Sequence, residues 1–386
     1  MTAATPGFAP WTFELDPDAV EDLRGRLART RWPDELPGVG WTRGTALAPL
    51  QALCRRWRDD FDFDAFVERC NRFPQVTTTV DGQHLHLLHV RSPEPGARPL
   101  LLAHGWPGSV AEFWDVLGPL TDPAAHGRDP AGALHVVAPS LPGYGFSGPT
   151  REAGWDIGRT AAAFAEVMER LGYDRYFCQG GDWGSMVVSE VSARHPDRVA
   201  ALHLNLLVAG PPKDGPGPVD GAEEAELAAS ARFRALESAY QQVHATRPQS
   251  LAYGLTDSPA GLAGWILEKF QAWTGGDGLA AFSPDRLLDN LSIYWFTGTI
   301  NASMRMYHET IGPERVGPRV GRPHPEVPIG FARYPGEPFN SPRRWIESAF
   351  NVVRWSDLPA GGHFPAMQVP DLFVDEVSSF FASRPR

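Results

Sequence analysis

Residues 176–184 read YFCQGGDWG, and this stretch decides the fold. It joins an apolar, strand-like segment that ends at Gly180 to a helical pattern that runs from Ser185 to His195. Small residues at positions 180 and 184 permit a tight turn from strand to helix, which lifts the central side chain above a sheet. We interpret the stretch as a nucleophile elbow that carries Asp182 at its apex.

An aspartate at this apex determines which chemistry the turn can support. A carboxylate is already ionised at neutral pH, so Asp182 needs no base before it attacks. Attack on a saturated carbon that bears a leaving group gives an ester, which water can then hydrolyse. The alternative interpretation is that Asp182 only caps the N-terminus of the helix. Ser185, one residue past the turn, is a weaker candidate nucleophile.

Strand-like and helical segments alternate on both sides of the elbow. This alternation predicts an α/β fold with a mostly parallel central sheet and helices on both faces. It breaks after Gly210 and resumes at Val327, and mainly helical patterns lie between these two points. The predicted boundaries are 1–74 for an N-terminal helical extension, 75–212 for the first part of the α/β core, 213–325 for an inserted helical lid, and 326–386 for the second part of the core.

A second strand is followed by the loop His104 to Ser109, which reads HGWPGS. In a fold with a nucleophile elbow, such a loop supplies one backbone N–H of an oxyanion hole, and the residue after the nucleophile supplies the other. The sequence therefore predicts Trp106 and Trp183 as the two donors. Without the elbow, the loop would be read only as a turn rich in glycine and proline.

The string GGHF at residues 361–364 lies between the last predicted strand and the terminal helix. Its chain order after the nucleophile makes His363 the candidate general base toward water. A carboxylate should orient this histidine, and Glu337 follows the strand-like residues 327–331 and their turn. Asp357 is the rival for this role.

The composition excludes several classes of function. Of 386 residues, 42% are apolar and 21% are charged, which is typical of a compact globular protein. The net charge of −11 provides no basic surface, so neither nucleic acid nor a membrane surface is an expected partner. The many aromatic residues hint at an apolar substrate, and a homo-oligomer is compatible with the sequence.

Neither a metal nor an organic cofactor is predicted. The cysteines, Cys54, Cys70 and Cys178, lack the spacing of a zinc site and are interpreted as free thiols of a reducing compartment. Residues 143–148 match the dinucleotide pattern GxGxxG, but prolines bracket them and no helix follows directly. Because the first ten residues do not resemble a secretory signal, we expect a cytoplasmic protein.

Taken together, these motifs resemble the microsomal-type epoxide hydrolases of the α/β-hydrolase fold, a family that includes juvenile hormone epoxide hydrolases and soluble microbial members. The resemblance extends over nearly the whole chain. Besides the elbow, the HGWPGS loop and the GGHF string, it includes Gly40-Trp41, Trp57 and the NRFP string at residues 71–74. It implies hydrolysis of an epoxide to a vicinal diol through an ester on Asp182, without a cofactor, in a role such as detoxification. The apolar N-terminal anchor of the membrane-bound members is not evident here.

The resemblance also implies two catalytic tyrosines in the lid. Tyr307 corresponds to the first and Tyr240 to the second, with Tyr253 and Tyr294 as substitutes. A neutral phenol can hydrogen-bond the oxygen of an opening epoxide and then protonate it. The ordinary alternative for each is that a lid tyrosine only packs against its neighbours.

Three rival functions share parts of this pattern. A haloalkane or haloacetate dehalogenase uses the same aspartate, histidine and ester, but it needs N–H donors for a halide rather than phenols. A non-catalytic ligand-binding protein could retain the fold, although it would not need all three triad residues in order. A serine esterase is disfavoured because the apex residue is an aspartate.

Overall fold

The computed structural model describes residues 7–215, 217, 220–315 and 321–384. Within these ranges the strands form one sheet in the order β1-β2-β3-β5-β4-β6-β7-β8-β9. The strands are β1 (Ala9–Pro10), β2 (Gln75–Val80), β3 (Gln83–Val90), β4 (Arg98–Ala103), β5 (Leu134–Pro139), β6 (Tyr176–Gly180), β7 (Val199–Leu204), β8 (Ile329–Arg333) and β9 (Val352–Asp357). Pairs from β1 to β5 along this order are antiparallel and all later pairs are parallel. The predicted α/β-hydrolase fold, with its mostly parallel sheet, is confirmed.

Helices of three groups surround the sheet. The extension contains α1 (Pro17–Ala28), α2 (Leu47–Asp59) and α3 (Phe63–Cys70). The core contains α4 (Leu117–Thr121), α5 (Ile157–Arg170), α6 (Asp182–Arg194), then, after the lid, α13 (Arg343–Ala349), α14 (Pro365–Gln368) and α15 (Pro370–Ala382). The lid contains α7 (Gly221–Leu236), α8 (Ala239–Thr246), α9 (Pro248–Asp257), α10 (Pro259–Ala272), α11 (Pro284–Thr297) and α12 (Ile300–Ile311). None of the helices in the described ranges is long and apolar enough to span a membrane.

The central strands are apolar without alternation because helices cover both of their faces. Leu100, Leu101 and Leu102 of β4 are completely buried, as expected for a parallel strand in the middle of such a sheet. The carboxyl ends of β4, β6, β7 and β8 meet at one edge of the sheet, since neighbouring parallel strands run in the same direction. That edge is where the functional loops lie.

The helical patterns in the sequence are longer than the helices that form. In the sequence, apolar residues recur at helical spacing from Leu50 to Cys70. The structure interrupts this pattern because Asp62 caps a new helix, accepting a hydrogen bond from the N–H of Ala65 at 2.9 Å. A second helical pattern in the sequence, from Arg286 to His308, is divided at Gly298, which adopts a left-handed conformation with φ +63°. Residues 1–6, 216, 218–219, 316–320 and 385–386 lie outside the described ranges, and those at 216, 218–219 and 316–320 lie inside the predicted lid, near its two ends. The domain boundaries therefore stay predictions.

The N-terminal extension packs directly on the lid. The indole Nε1 of Trp57 donates a hydrogen bond to Oγ of Ser292 at 2.9 Å. The guanidinium of Arg69 pairs with the fully buried Asp289, with Nη2 2.6 Å from Oδ1. Both lid residues lie on α11, so this helix is attached to the extension on one side.

Candidate active site

The elbow has the tight geometry that its sequence predicts. Asp182 begins α6 with φ +47°, a conformation that non-glycine residues rarely adopt. A Cβ at Gly180 would lie within 2.7 Å of the backbone of Gly184 and Ser185, so this position requires a glycine. The Asp182 side chain is 14% exposed and lies at a helix N-terminus, where the helix dipole favours an anion. Trp183 follows within the first turn of this helix.

The HGWPGS loop contacts the Asp182 carboxylate. The backbone N–H of Trp106 donates a hydrogen bond to Oδ1 of Asp182 at 2.8 Å. The loop is fixed from the lid, because Nδ2 of Asn290 donates to the carbonyl of Pro107 and the hydroxyl of Ser109 donates to Oδ1 of Asn290, both at 2.8 Å. A preorganised N–H on one carboxylate oxygen is the arrangement that an oxyanion hole requires.

The GGHF string brings a histidine to the other carboxylate oxygen. Nε2 of His363 lies 3.5 Å from Oδ2 of Asp182, and Nδ1 lies 2.9 Å from Oε2 of Glu337. Glu337 is 4% exposed, whereas the rival Asp357 is exposed and pairs with Arg333. The structure thus places Glu337, and not Asp357, against the histidine.

The two carboxylates control the charge of this histidine. Burial disfavours the charged imidazolium of His363, but the neighbouring Glu337 and Asp182 outweigh burial and raise its pKa to about 10. At neutral pH the free protein therefore holds an imidazolium beside two carboxylates. His363 can act as a base only after some of that negative charge is removed.

Both candidate lid tyrosines are buried against tryptophans next to the nucleophile, Tyr240 against Trp106 and Tyr307 against Trp183. The rings of Tyr240 and Tyr307 lie 5.8 Å apart between centroids, and the Tyr307 ring lies 4.6 Å from that of Trp183. The hydroxyl of Tyr240 accepts a hydrogen bond from Nε2 of Gln241 at 3.0 Å, while that of Tyr307 makes no hydrogen bond of normal length within the described ranges. Burial raises the pKa of both phenols, and nearby ionisable groups, among them Asp182, raise it further. Both phenols are therefore neutral at physiological pH and can donate a proton.

The substitute tyrosines do not reach the same place. Tyr253 is 72% exposed on α9, so its ring faces solvent. Tyr294 is buried, but its hydroxyl donates to the carbonyl of Gly108 at 2.8 Å and helps to fix the oxyanion loop. Tyr240 and Tyr307 are the pair that the fold brings together.

Known proteins share both the sequence and the fold. Residues 8–113 match the family "Epoxide hydrolase N terminus", and residues 98–236 match the family "alpha/beta hydrolase fold". The chain is 34% identical to "Epoxide hydrolase 1" of Oryctolagus cuniculus, over 96% of this chain and 88% of that protein. This chain belongs to the epoxide hydrolase family. The resemblance stated from the motifs is therefore confirmed.

Two further relatives agree with this assignment. A protein of Stigmatella aurantiaca (strain DW4/3-1), assigned as an epoxide hydrolase, is 41% identical over 97% of this chain and 85% of its own length. The crystal structure of juvenile hormone epoxide hydrolase from the silkworm Bombyx mori has a TM-score of 0.86 and 29% identity. That comparison covers 97% of this chain and 94% of the silkworm chain.

Sequence reasoning missed a small cavity beside the nucleophile of this epoxide hydrolase. The cavity, about 20 Å³ in volume, lies against Asp182 and His363 and is also lined by Glu112, Gln179 and Asn205. Burial raises the pKa of Glu112 to about 8. Asn205 directly follows β7, so its position at a strand end could have signalled a functional side chain. No comparable signal exists for Glu112, which lies within a short 3₁₀ turn.

Metal binding can be judged from the side chains that the structure places together. Across the described residues, no group of three or more histidine, cysteine, aspartate or glutamate side chains could hold a metal ion. The polar groups at the sheet edge are instead arranged as a nucleophile, a histidine–carboxylate pair and two phenols.

Proposed function

We propose that this epoxide hydrolase opens a small apolar epoxide through a covalent ester on Asp182, with His363 and Glu337 activating the water that cleaves the ester. One observation carries the proposal: the two oxygens of the Asp182 carboxylate have different neighbours. Oδ1 is held by the N–H of Trp106, whereas Oδ2 lies beside His363. The carboxylate is therefore divided into a held oxygen and an attacking oxygen.

In the first step Oδ2 of Asp182 attacks an epoxide carbon. The carbon–oxygen bond of the epoxide breaks, and its electron pair stays on the oxygen. That oxygen takes a proton from Tyr307 or Tyr240, whose buried neutral phenols share the developing charge. The products are a hydroxyalkyl ester on Asp182 and a phenolate in the lid.

In the second step the ester is hydrolysed. Esterification removes the negative charge of Asp182 that supports the imidazolium, so His363 gives its proton to the phenolate and becomes a neutral base. Water then adds to the ester carbonyl as His363 takes its proton, and the N–H groups of Trp106 and Trp183 stabilise the oxyanion on Oδ1. As the intermediate collapses, the bond between the carbonyl carbon and the oxygen that attacked breaks, and the departing alkoxide takes the proton of the His363 imidazolium and leaves as the diol. The new carboxyl group then gives its proton back to His363, so that the carboxylate and the imidazolium are both restored.

The small cavity beside Asp182 and His363 supports the hydrolytic step. Its volume of about 20 Å³ suits one water molecule, and its lining includes His363 and the partly polar surface formed by Gln179 and Asn205. A water held there would lie between the base and the ester carbonyl. Glu112, on the same wall, supplies a further hydrogen-bonding group.

The dehalogenase alternative is disfavoured by the phenols. A leaving halide needs N–H donors and takes no proton, whereas two buried tyrosines suit an oxygen that must be protonated. Diol formation and chloride release from parallel panels of epoxides and chloroalkanes should differ by orders of magnitude in favour of the diol. Comparable chloride release, with no diol from any epoxide, would contradict the proposal.

The covalent step is tested by isotope labelling. One turnover in ¹⁸O-water should give largely unlabelled diol, because the transferred oxygen comes from the Asp182 carboxylate, and later turnovers should give labelled diol. In a His363→Gln variant the ester should form but not hydrolyse, so intact-mass spectrometry should detect an adduct on the peptide that contains Asp182. Asp357→Asn serves as the matched control and should show no accumulated adduct.

The opposite result has a clear meaning. Label in the diol of the first turnover, together with no adduct in His363→Gln, would indicate that water attacks the epoxide directly. Asp182 would then be a general base rather than a nucleophile.

We further propose that the enzyme acts in the cytoplasm, without a nucleic-acid or membrane partner, on the basis of its acidic charge balance.

A further inference from the structure

Lys269 occupies a place in the lid where a charged residue is costly. It lies on α10, is 2% exposed, and its Nζ lies 4.7 Å from the centre of the Tyr240 ring. The same Nζ lies 5.8 Å from the ring centre of Trp273, one turn along the helix. Lysine is rarely buried, and an apolar side chain of similar length would fill this space without loss of hydration. The ammonium therefore calls for an explanation beyond packing.

The ion pair of Lys269 does not supply that explanation. Its Nζ lies 2.8 Å from Oε1 of Glu268, but that carboxylate is partly exposed while the lysine is the buried member of the pair. A surface pair would form equally well with both side chains in solvent and would contribute little to stability. What burial adds is the position of the cation over an aromatic ring.

That ring belongs to a tyrosine at the reaction centre. Trp106, whose N–H binds the nucleophile, stacks on the Tyr240 ring at 5.1 Å with an interplanar angle of 11°. When the Tyr240 hydroxyl gives its proton to the epoxide oxygen, negative charge develops on the phenol. A cation over the ring attracts this charge more strongly than it attracts the neutral phenol, so it stabilises the transition state over the ground state.

We propose that Lys269 is a positioning residue for the alkylation step: its buried ammonium, held over the ring of Tyr240, makes that phenol a stronger proton donor toward the epoxide oxygen. This inference rests on the proposed ester mechanism and on the role of Tyr240 in it. The effect is confined to the first step, because only that step develops charge on the phenol.

The test is a double-mutant cycle on the alkylation rate. Trp106 and Trp183 contact the lid tyrosines, so stopped-flow tryptophan fluorescence with excess styrene oxide resolves alkylation from hydrolysis. Lys269→Met, which keeps the length and removes the charge, should slow alkylation roughly five- to tenfold and leave hydrolysis within about twofold. In a Tyr240→Phe background the same substitution should add no further loss, since the hydroxyl through which it acts is missing.

Two additional variants separate this role from a structural one. Glu268→Gln removes the ion-pair partner but keeps the ammonium, so its alkylation rate should stay within about twofold of wild type. Lys269→Gln is measured in parallel, and thermal unfolding identifies which lysine variants keep the cooperative fold of the parent. The cycle is then evaluated on those variants.

Three results would overturn the proposal. One is an equal loss from Lys269→Met with and without the Tyr240 hydroxyl, and another is a loss in Glu268→Gln that matches it. The third is an unchanged alkylation rate in Tyr240→Phe, which would remove Tyr240 from the chemistry and Lys269 with it. Failure of the ester mechanism would be seen separately, as a missing adduct on Asp182 in the His363→Gln variant.

Discussion

Replacement of Asp182 by asparagine should lower the pKa of His363, so that the imidazolium loses its proton at a lower pH than in the free enzyme. Asparagine keeps the shape of the side chain, can still accept the Trp106 N–H, and tolerates a positive φ better than most residues. Asp182→Asn therefore imitates the loss of charge that occurs when the ester forms. The variant therefore tests one step of the proposed cycle, in which esterification of Asp182 allows His363 to lose its proton and act as a base.

The expected magnitude follows from the distance between the two groups. A unit charge 3.5 Å from Nε2 of His363 contributes roughly 4–5 kcal/mol at an effective dielectric constant of about 20. Because Asp182 is 14% exposed and partly screened by solvent, about 3 kcal/mol is a reasonable expectation, which is roughly a hundredfold in proton affinity. The proton affinity of His363, whose pKa is raised to about 10 in the free enzyme, should fall by that factor, since the raised pKa depends on Asp182 as well as on Glu337.

The measurement is an NMR titration of ¹⁵N-histidine-labelled protein between pH 5 and pH 11, with His363 assigned from the His363→Gln spectrum. Intact-mass analysis before and after the titration verifies that the amide has not hydrolysed. Asp357→Asn is the matched control, because it removes an exposed carboxylate that pairs with Arg333, and its His363 curve should coincide with wild type. A His363 curve that is the same in Asp182→Asn and wild type would refute the reasoning, because the histidine would then stay protonated in the ester.

Other substitutions test the remaining parts of the site. Tyr307→Phe should slow alkylation roughly 10- to 100-fold while ester hydrolysis changes by less than about threefold, as measured by single-turnover kinetics; an unchanged alkylation rate would make this tyrosine a packing residue. Glu337→Gln should slow ester hydrolysis roughly 100-fold, whereas Asp357→Asn should stay within about twofold, and the reverse order in rapid-quench assays would exchange their roles. Asp289→Ala should lower the free energy of unfolding by about 2–4 kcal/mol in urea titrations, because it removes the buried carboxylate that pairs with the partly buried Arg69. Asp285→Ala is the control: its pair with Arg56 is half-exposed, so the free energy of unfolding should fall by less than about 1 kcal/mol.

The elbow, the oxyanion loop and the histidine could be predicted because each lies where a parallel strand ends. The carboxyl ends of neighbouring parallel strands lie at the same edge of the sheet. The positions of the three motifs directly after strands are therefore enough to predict that Asp182, Trp106 and His363 come together. Glu337 follows β8 and Asp357 is the last residue of β9, and the sequence contains nothing that measures which of them turns inward. Their separation depends on a tertiary contact, the surface pair between Asp357 and Arg333.

The lid was harder to predict for a different reason. Helical periodicity shows that a segment is helical and which face is apolar, but it does not show what that face contacts. A lysine in an amphipathic helix is expected to be exposed, so nothing marked Lys269 as buried against Tyr240. Trp273, whose carbonyl accepts the backbone N–H of His363 at 2.9 Å, is likewise one of 13 tryptophans and could not be distinguished from the others.

Helix α11 joins two regions that would otherwise be independent. On one side, the helix contacts the N-terminal extension through a hydrogen bond from Trp57 and an ion pair with Arg69. From the same helix, Asn290 and Tyr294 donate hydrogen bonds to the loop that carries Trp106. The extension is thus a brace for the oxyanion hole rather than an appendage. A chimera that borrows only the lid of a relative would lose this brace, so exchanges of substrate range between relatives should transfer extension and lid as one piece.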